Sequence, residues 1–249
     1  MPETPIVILT REKDDNRPLA VHLTKNGFKY VEYPCIKTVP APVSAVSSSL
    51  KKSWGRTDVA IFTSRRAVTA LENFGIKYDE GNPRIACVGR STAEAAQWRL
   101  GQKAWLVADP PTAEALALKL VDKCRPEERL IHFRGSRTTG RLKSIVSRHG
   151  YHLEEIVVYR HQNLSNEPLQ IKGPGIAVLA SPSAATCFLE HNLNLKTKLA
   201  FLAIGPTTAD YLKSLGLSGI YQAKKPDADS LLAEIIEITQ SHHFQKENG

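Results

Sequence analysis

The 249-residue chain repeats itself in permuted order, and this restricts its fold more than its composition does. Cys87-Val88-Gly89-Arg90-Ser91-Thr92-Ala93-Glu94 returns 116 residues later as Ala203-Ile204-Gly205-Pro206-Thr207-Thr208-Ala209-Asp210. Ile61-Phe62-Thr63-Ser64 returns 117 residues later as Val178-Leu179-Ala180-Ser181, and Pro111 with Glu114 returns 115 residues later as Pro226 with Asp229. The unit holding Arg11 and Gly27 instead matches the one holding Arg134 and Gly150, 123 residues on. The carboxyl-terminal portion therefore lacks one element of the repeat unless the amino terminus supplies it. Two similar lobes follow: one made of residues 1–38 and 168–249, the other, 39–167, inserted into it. Two crossings then join a hinged pair with a cleft between the lobes. The competing explanation is that any two strand-Gly-helix units look alike.

Short apolar, β-branched runs with helical stretches between them predict an α/β fold with parallel sheets flanked by helices. Strands are expected at Ile6–Leu9, Val59–Phe62, Ile85–Val88, Leu130–Phe133, Ile156–Tyr159, Ile176–Leu179 and Leu199–Ile204. Tyr33–Pro42 and Arg160–Pro174 lack periodicity and are rich in Pro or polar residues, so they read as the irregular crossings.

Composition excludes several classes. With 42% hydrophobic residues the chain is neither disordered nor membrane-spanning, since no apolar run approaches the roughly 18 residues of a span. The opening MPETPIVILTRE has no basic head and no cleavage-like tail, so no secretory leader is expected. Cys35, Cys87, Cys124 and Cys187 lie far apart, which suits reduced thiols in a cytoplasmic or equivalent reducing compartment. The tail from Ser241 to Gly249 reads as disordered. Residues 41–165 hold 20 Lys+Arg against 12 Asp+Glu, while the remainder is balanced. A localised basic excess points to an anionic partner, or is ordinary solubilising charge.

Ligands of open parallel sheets bind beyond the carboxyl ends of the strands, where helices present unpaired N–H groups. The turns there read Thr63-Ser64-Arg65-Arg66, Gly89-Arg90-Ser91-Thr92, Arg134-Gly135-Ser136-Arg137, Ser181-Pro182-Ser183 and Gly205-Pro206-Thr207-Thr208. Gly permits close approach and Ser or Thr offers a hydroxyl, so these turns form sockets for oxygen anions. A helix N-cap explains a hydroxyl at each helix start, but not five arginines at the turns of one lobe. Gly135 to Leu142 has the glycine spacing of a P-loop without its Lys and Ser/Thr. His149 with His152, and His242 with His243, lack companion ligands, so no metal is expected.

Thr63-Ser64 after a strand, Val88-Gly89 with Thr92-Ala93, Val158-Tyr159-Arg160 at the second crossing, Ser181-Pro182-Ser183 and Ala203 to Ala209 stand in the order seen in one family. The chain resembles the uroporphyrinogen-III synthases over nearly its full length. The resemblance implies two α/β lobes joined by a two-stranded connector, the first flavodoxin-like and discontinuous. It also implies cofactor-free cyclisation of the linear tetrapyrrole hydroxymethylbilane, a polycarboxylate. Loss of the terminal hydroxyl gives an azafulvene. Attack by the far ring at its substituted carbon, through a spiro intermediate, inverts ring D. The uncatalysed bilane closes to the uninverted type I isomer, so the task is to impose geometry. Tyr159 is the expected proton donor, because a phenol with an ordinary pKa of about 10 keeps its proton at neutral pH. Ser64, Thr92, Ser181, Ser183, Gly205, Thr207 and Thr208 are the expected substrate-binding positions. Arg65, Arg90, Arg134 and Arg137 join them as candidates on charge, in positions where the family varies. A monomer taking its substrate from hydroxymethylbilane synthase is expected.

Two other classes fit less well. A nucleic-acid-binding protein conflicts with 7% aromatic residues and the lack of a Lys/Arg-rich tract. A two-lobe receptor that closes on an anion without chemistry differs from a synthase only in its product.

Overall fold

The computed structural model describes residues 4–42, 46, 50, 53–74 and 83–241. The expected tail disorder beyond Ser241, and His242 with His243, lie outside the described residues. The chain divides into two compact units, unit one of Met1–Lys37 with Gln162–Gly249 and unit two of Thr38–His161.

The chain begins unit one with β1 (Ile6–Leu9), α1 (Lys13–Lys25) and β2 (Tyr30–Glu32), then leaves it through β3 (Ile36–Pro40). Unit two follows as β4 (Val59–Phe62), α2 (Arg65–Asn73), β5 (Arg84–Val88), α3 (Arg90–Leu100), β6 (Ala104–Ala108), α4 (Ala113–Lys123), β7 (Leu130–Gly135), α5 (Arg141–Arg148) and β8 (Leu153–Asn163). The return completes unit one with β9 (Gly175–Leu179), α6 (Pro182–Asn192), β10 (Leu199–Ala203), α7 (Pro206–Ser214), β11 (Ile220–Gln222) and α8 (Ala228–Gln240).

Unit one holds a sheet in the order β11-β10-β9-β1-β2, every pair parallel. The amino-terminal strand lies inside it: Ile6 faces Gly175 and Leu9 faces Val178 across the β1–β9 ladder. Unit two orders its strands β3-β8-β7-β4-β5-β6, with β8 through β6 parallel. Set side by side, β11-β10-β9-β1-β2 corresponds to β6-β5-β4-β7-β8. The amino-terminal pair β1-β2 occupies the place that β7-β8 takes in unit two, which is the permutation written in the sequence. Even the caps correspond. Ser64 and Ser181 each accept the amide three residues on, from Ala67 and Ala184, and Thr112 and Asp227 do the same for Ala115 and Ser230.

Central strands buried on both faces read as unbroken apolar runs. Every residue of VAIF in β4, GIAVL in β9 and LAFLA in β10 is buried. Alternate side chains feed two cores per sheet. In unit one, Phe201 and Leu179 pack with Phe188 of α6, while Leu202 and Val178 pack with Ile235 of α8. In unit two, Phe62 and Phe133 pack with Leu71 of α2, while Ile61 and Leu130 pack with Leu120 of α4.

The structure adds strands that the sequence reading omits. The edge strands β2 and β11 have three residues each, too few to show a period, and β6 is another edge. The first crossing contains β3 rather than being irregular throughout, and β8 runs on through Arg160–Asn163 in the second. Ala41 N donates to Val158 O and Leu164 N to Cys35 O, so β3 and β8 pair antiparallel. β3 ends in Pro40 and the Arg160–Asn163 end of β8 is polar, so neither stretch shows the apolar run of a central strand.

Candidate functional site

In a doubly wound sheet the ligand crevice opens where neighbouring strands send their connections to opposite sides. In unit two that place lies between β4 and β7, whose following turns are Thr63-Ser64 and Gly135-Ser136. The sequence candidates converge there. Ser64 Oγ lies 3.1 Å from the Tyr159 phenol oxygen while it accepts the Ala67 amide at 3.2 Å. Tyr159 is brought to the pair by a register shift in the β7–β8 ladder, which sets Gly135 opposite Tyr159. Gly135 is required by contact. A Cβ there would stand 2.6 Å from Cε2 and Cζ of the ring and 2.8 Å from its hydroxyl. The ring also meets His161 edge to face at 5.5 Å, and Ser136 N donates to Tyr159 O. The phenol is thus held on several sides at the rim of the sheet.

Removing the Ser64 hydroxyl takes away a helix cap and a phenol partner together. Ser64→Ala is expected to cost about 1 kcal/mol, seen in thermal unfolding as a fall of about 2–4 °C in Tm. An unchanged Tm would show that the cap contributes nothing.

The arginines of unit two behave differently from one another. Arg134 folds back on its own turn, donating from Nη1 to Gly135 O at 2.8 Å, with Nε 3.1 Å from Glu155 Oε1 in a contact not aligned as a hydrogen bond. Arg134 therefore organises the turn. Arg65 and Arg137 are exposed. Behind the rim, buried His132 bridges Thr63 Oγ1 at 3.0 Å and Glu155 Oε1 at 3.3 Å. The hydrogen bond from His132 holds the Glu155 carboxyl below the usual range. Burial opposes this and the charges of Arg134, His132 and Lys143 reinforce it. Sequence reading missed His132 and Glu155. Their only signal is a polar residue at a core position of a strand, as in LIHFRG.

The next turn holds Arg90 and Thr92. Gly89 has φ +78°, and a Cβ on it would meet Pro111 at 3.0 Å. Thr92 is 4% exposed within α3, whereas Arg90 is exposed. Arg90 lines a cavity of about 770 Å³ together with Gly89, Glu94, Lys103, Asp109 and Pro111.

In unit one the corresponding turns carry the remaining candidates. Ser181 Oγ caps α6 and lies 3.2 Å from Ser183 Oγ. Gly205 precedes α7 in an extended conformation, with Thr207 exposed and Thr208 only 3% exposed. Thr10, absent from the sequence candidates, follows β1 and donates to Val178 O at 2.6 Å across this unit's own switch point. Among the described residues, the structure brings Ser64 together with Tyr159 and Ser181 with Ser183.

No group of three or more His, Cys, Asp or Glu that could hold a metal occurs among the described residues. Burial pushes the Cys87 thiol up to about 12 and the Cys124 thiol to about 11, and raises Cys35 and Cys187, so none is a thiolate at neutral pH. No helix among the described residues is long and apolar enough to cross a membrane.

A family model described as uroporphyrinogen-III synthase HemD matches residues 17–233. The chain is similar to the chloroplastic uroporphyrinogen-III synthase of Oryza sativa subsp. japonica, with 29% identity over 269 residues, 99% of this chain and 84% of that protein. Its fold is similar to that of uroporphyrinogen-III synthetase from Helicobacter pylori 26695, with a TM-score of 0.64 at 18% identity, covering 95% of this chain and 100% of that one. A mutant uroporphyrinogen III synthase from the extremely thermophilic bacterium Thermus thermophilus gives a TM-score of 0.59 at 18% identity, covering 95% of this chain and 99% of that one.

Proposed function

The chain belongs to the uroporphyrinogen-III synthase family, a family of lyases, and from that premise we propose that it closes hydroxymethylbilane to uroporphyrinogen III, with loss of water and inversion of ring D. The observation that carries this reading is the Tyr159–Ser64 pair at the switch point of unit two. The phenol is the proton donor to the departing hydroxyl. As the C–O bond breaks, the proton leaves Tyr159 with the water formed, and the bilane is left as an azafulvenium cation, the electrophile. Ser64, 3.1 Å away, donates its own proton toward the phenolate and stabilises it. Ring attack at the substituted carbon, fragmentation of the spiro intermediate and reclosure follow, and loss of the last ring proton restores the phenol.

The acetate and propionate chains bind hydroxyls and backbone N–H groups at Thr92, Ser181, Ser183, Gly205, Thr207 and Thr208. Arg65, Arg90 and Arg137 add positive charge for a polyanion, and Arg134 acts on its own turn. Holding the terminal rings in the approach that free solution disfavours is the principal contribution, and such positioning supplies about 7–11 kcal/mol in favourable cases. No cofactor takes part. The substrate comes from an enzyme that assembles the linear bilane, and the protein works as a monomer in a reducing compartment.

The test is product analysis. With hydroxymethylbilane as substrate, followed by oxidation and separation of isomers, the type III isomer is expected to predominate. Type I alone, from folded protein, removes the reading and leaves an anion receptor.

A further inference from the structure

His132 is a buried titratable side chain that the proposed chemistry leaves without a role. It lies in β7, between the two strands that carry the reacting pair: β4, which leads into Thr63-Ser64, and β8, which carries Tyr159. Across the ladders it faces Ile61 on one side and Glu155 on the other. Its residue is 2% exposed, and its ring spans both neighbours, reaching Thr63 Oγ1 through Nε2 and Glu155 Oε1 through Nδ1.

The hydrogen bond to Glu155 has a fixed direction. Glu155, with Arg134 Nε at 3.1 Å and Lys143 Nζ at 3.7 Å, is an ionised carboxylate and can only accept. Nδ1 therefore carries a proton and donates to Glu155, while Nε2 is joined to the Thr63 hydroxyl by a hydrogen bond at 3.0 Å. The result is a strap from the turn after β4 through β7 to β8, beneath the pair it would align. A buried polar cluster contributes little net stability compared with an apolar replacement, whereas it fixes geometry.

We propose that His132 is a positioning residue: through Thr63 it holds the Thr63-Ser64 turn where Ser64 meets the Tyr159 phenol. The proposal rests on the reading that Tyr159 supplies the proton.

Two substitutions separate its contacts. Asparagine places its amide near the position of Nδ1, so His132→Asn keeps the Glu155 contact and abandons Thr63. Glutamine reaches the position of Nε2, so His132→Gln keeps Thr63. Misplacement of a reacting group costs up to about 10²-fold, so His132→Asn is expected to lower kcat about tenfold with KM within about twofold, and His132→Gln to stay within about threefold of wild type. Thr63→Val is expected to reproduce the asparagine variant, and adding it to that variant brings no further loss. The 13Cζ resonance of Tyr159, identified by its disappearance in Tyr159→Phe, is expected to shift in His132→Asn and to hold in His132→Gln. An unshifted resonance in the asparagine variant overturns the proposal, as do equal kcat losses in both variants. If the wild-type protein forms no type III isomer, the synthase reading fails by itself, and the resonance alone decides on His132.

Discussion

Tyr159→Phe lowers kcat by about 10²-fold or more and leaves KM nearly unchanged, because general acid catalysis contributes about 10²–10⁴-fold. The substitution deletes one oxygen. The ring keeps its contact with Gly135 and its edge-to-face meeting with His161. Ser64 loses the phenol but still accepts the Ala67 amide, so the helix keeps its cap. One hydrogen bond between partly buried groups contributes about 0.5–1.5 kcal/mol, so the loss of stability is modest beside the loss of rate. Steady-state kinetics with thermal unfolding of the same preparation checks both halves. Wild-type turnover would place the proton donor elsewhere, for instance on a propionic acid of the substrate.

Gly135→Ala produces the second large effect from the opposite direction, by leaving the phenol intact and moving it. Its Cβ would stand 2.6 Å from two ring carbons, closer than any real contact, and the atoms it meets belong to a ring carried within strand β8. The ring must swing away from Ser64 or the end of β7 must shift. Overpacking of this kind costs about 1–3 kcal/mol. Turnover is expected to fall as far as in Tyr159→Phe, and the two changes combined to lose little more activity than either alone, since both abolish the same contact. A Gly135→Ala enzyme with full activity would show that the alignment of the phenol at Ser64 does not matter to the reaction.

The architecture was legible because repetition carries geometry. Three blocks in matching order, with the Arg11 unit paired to the Arg134 unit, are enough to place the amino-terminal strand inside the carboxyl-terminal sheet, where β1 lies against β9. Buried parallel strands announce themselves as apolar runs, while β2 and β11, at three residues on the edges, bury too little to do so. In the candidate site, Ser64, Gly135 and Tyr159 could be singled out from turn chemistry and resemblance, but not the contact that unites them, which depends on a register shift between β7 and β8. His132 and Glu155 were invisible for another reason. A polar residue within an apolar strand has no meaning until its neighbours on adjoining strands are known, and those lie tens of residues away in the chain. Arg134 reads in the sequence as a charge at a turn, and the structure sets that charge against Gly135 and Glu155.

In the proposed reaction the phenol of Tyr159 serves rate, whereas the gripping turns serve regiochemistry. This division of labour is tested by the fraction of type III product at fixed hydroxymethylbilane as the concentration of Tyr159→Phe protein rises, set against the wild-type curve. The expected curve is displaced to higher protein concentration by the same factor as the loss in kcat, and it climbs to the same predominance of type III. Superimposable curves, or a variant that yields only type I at every concentration, would overturn the division.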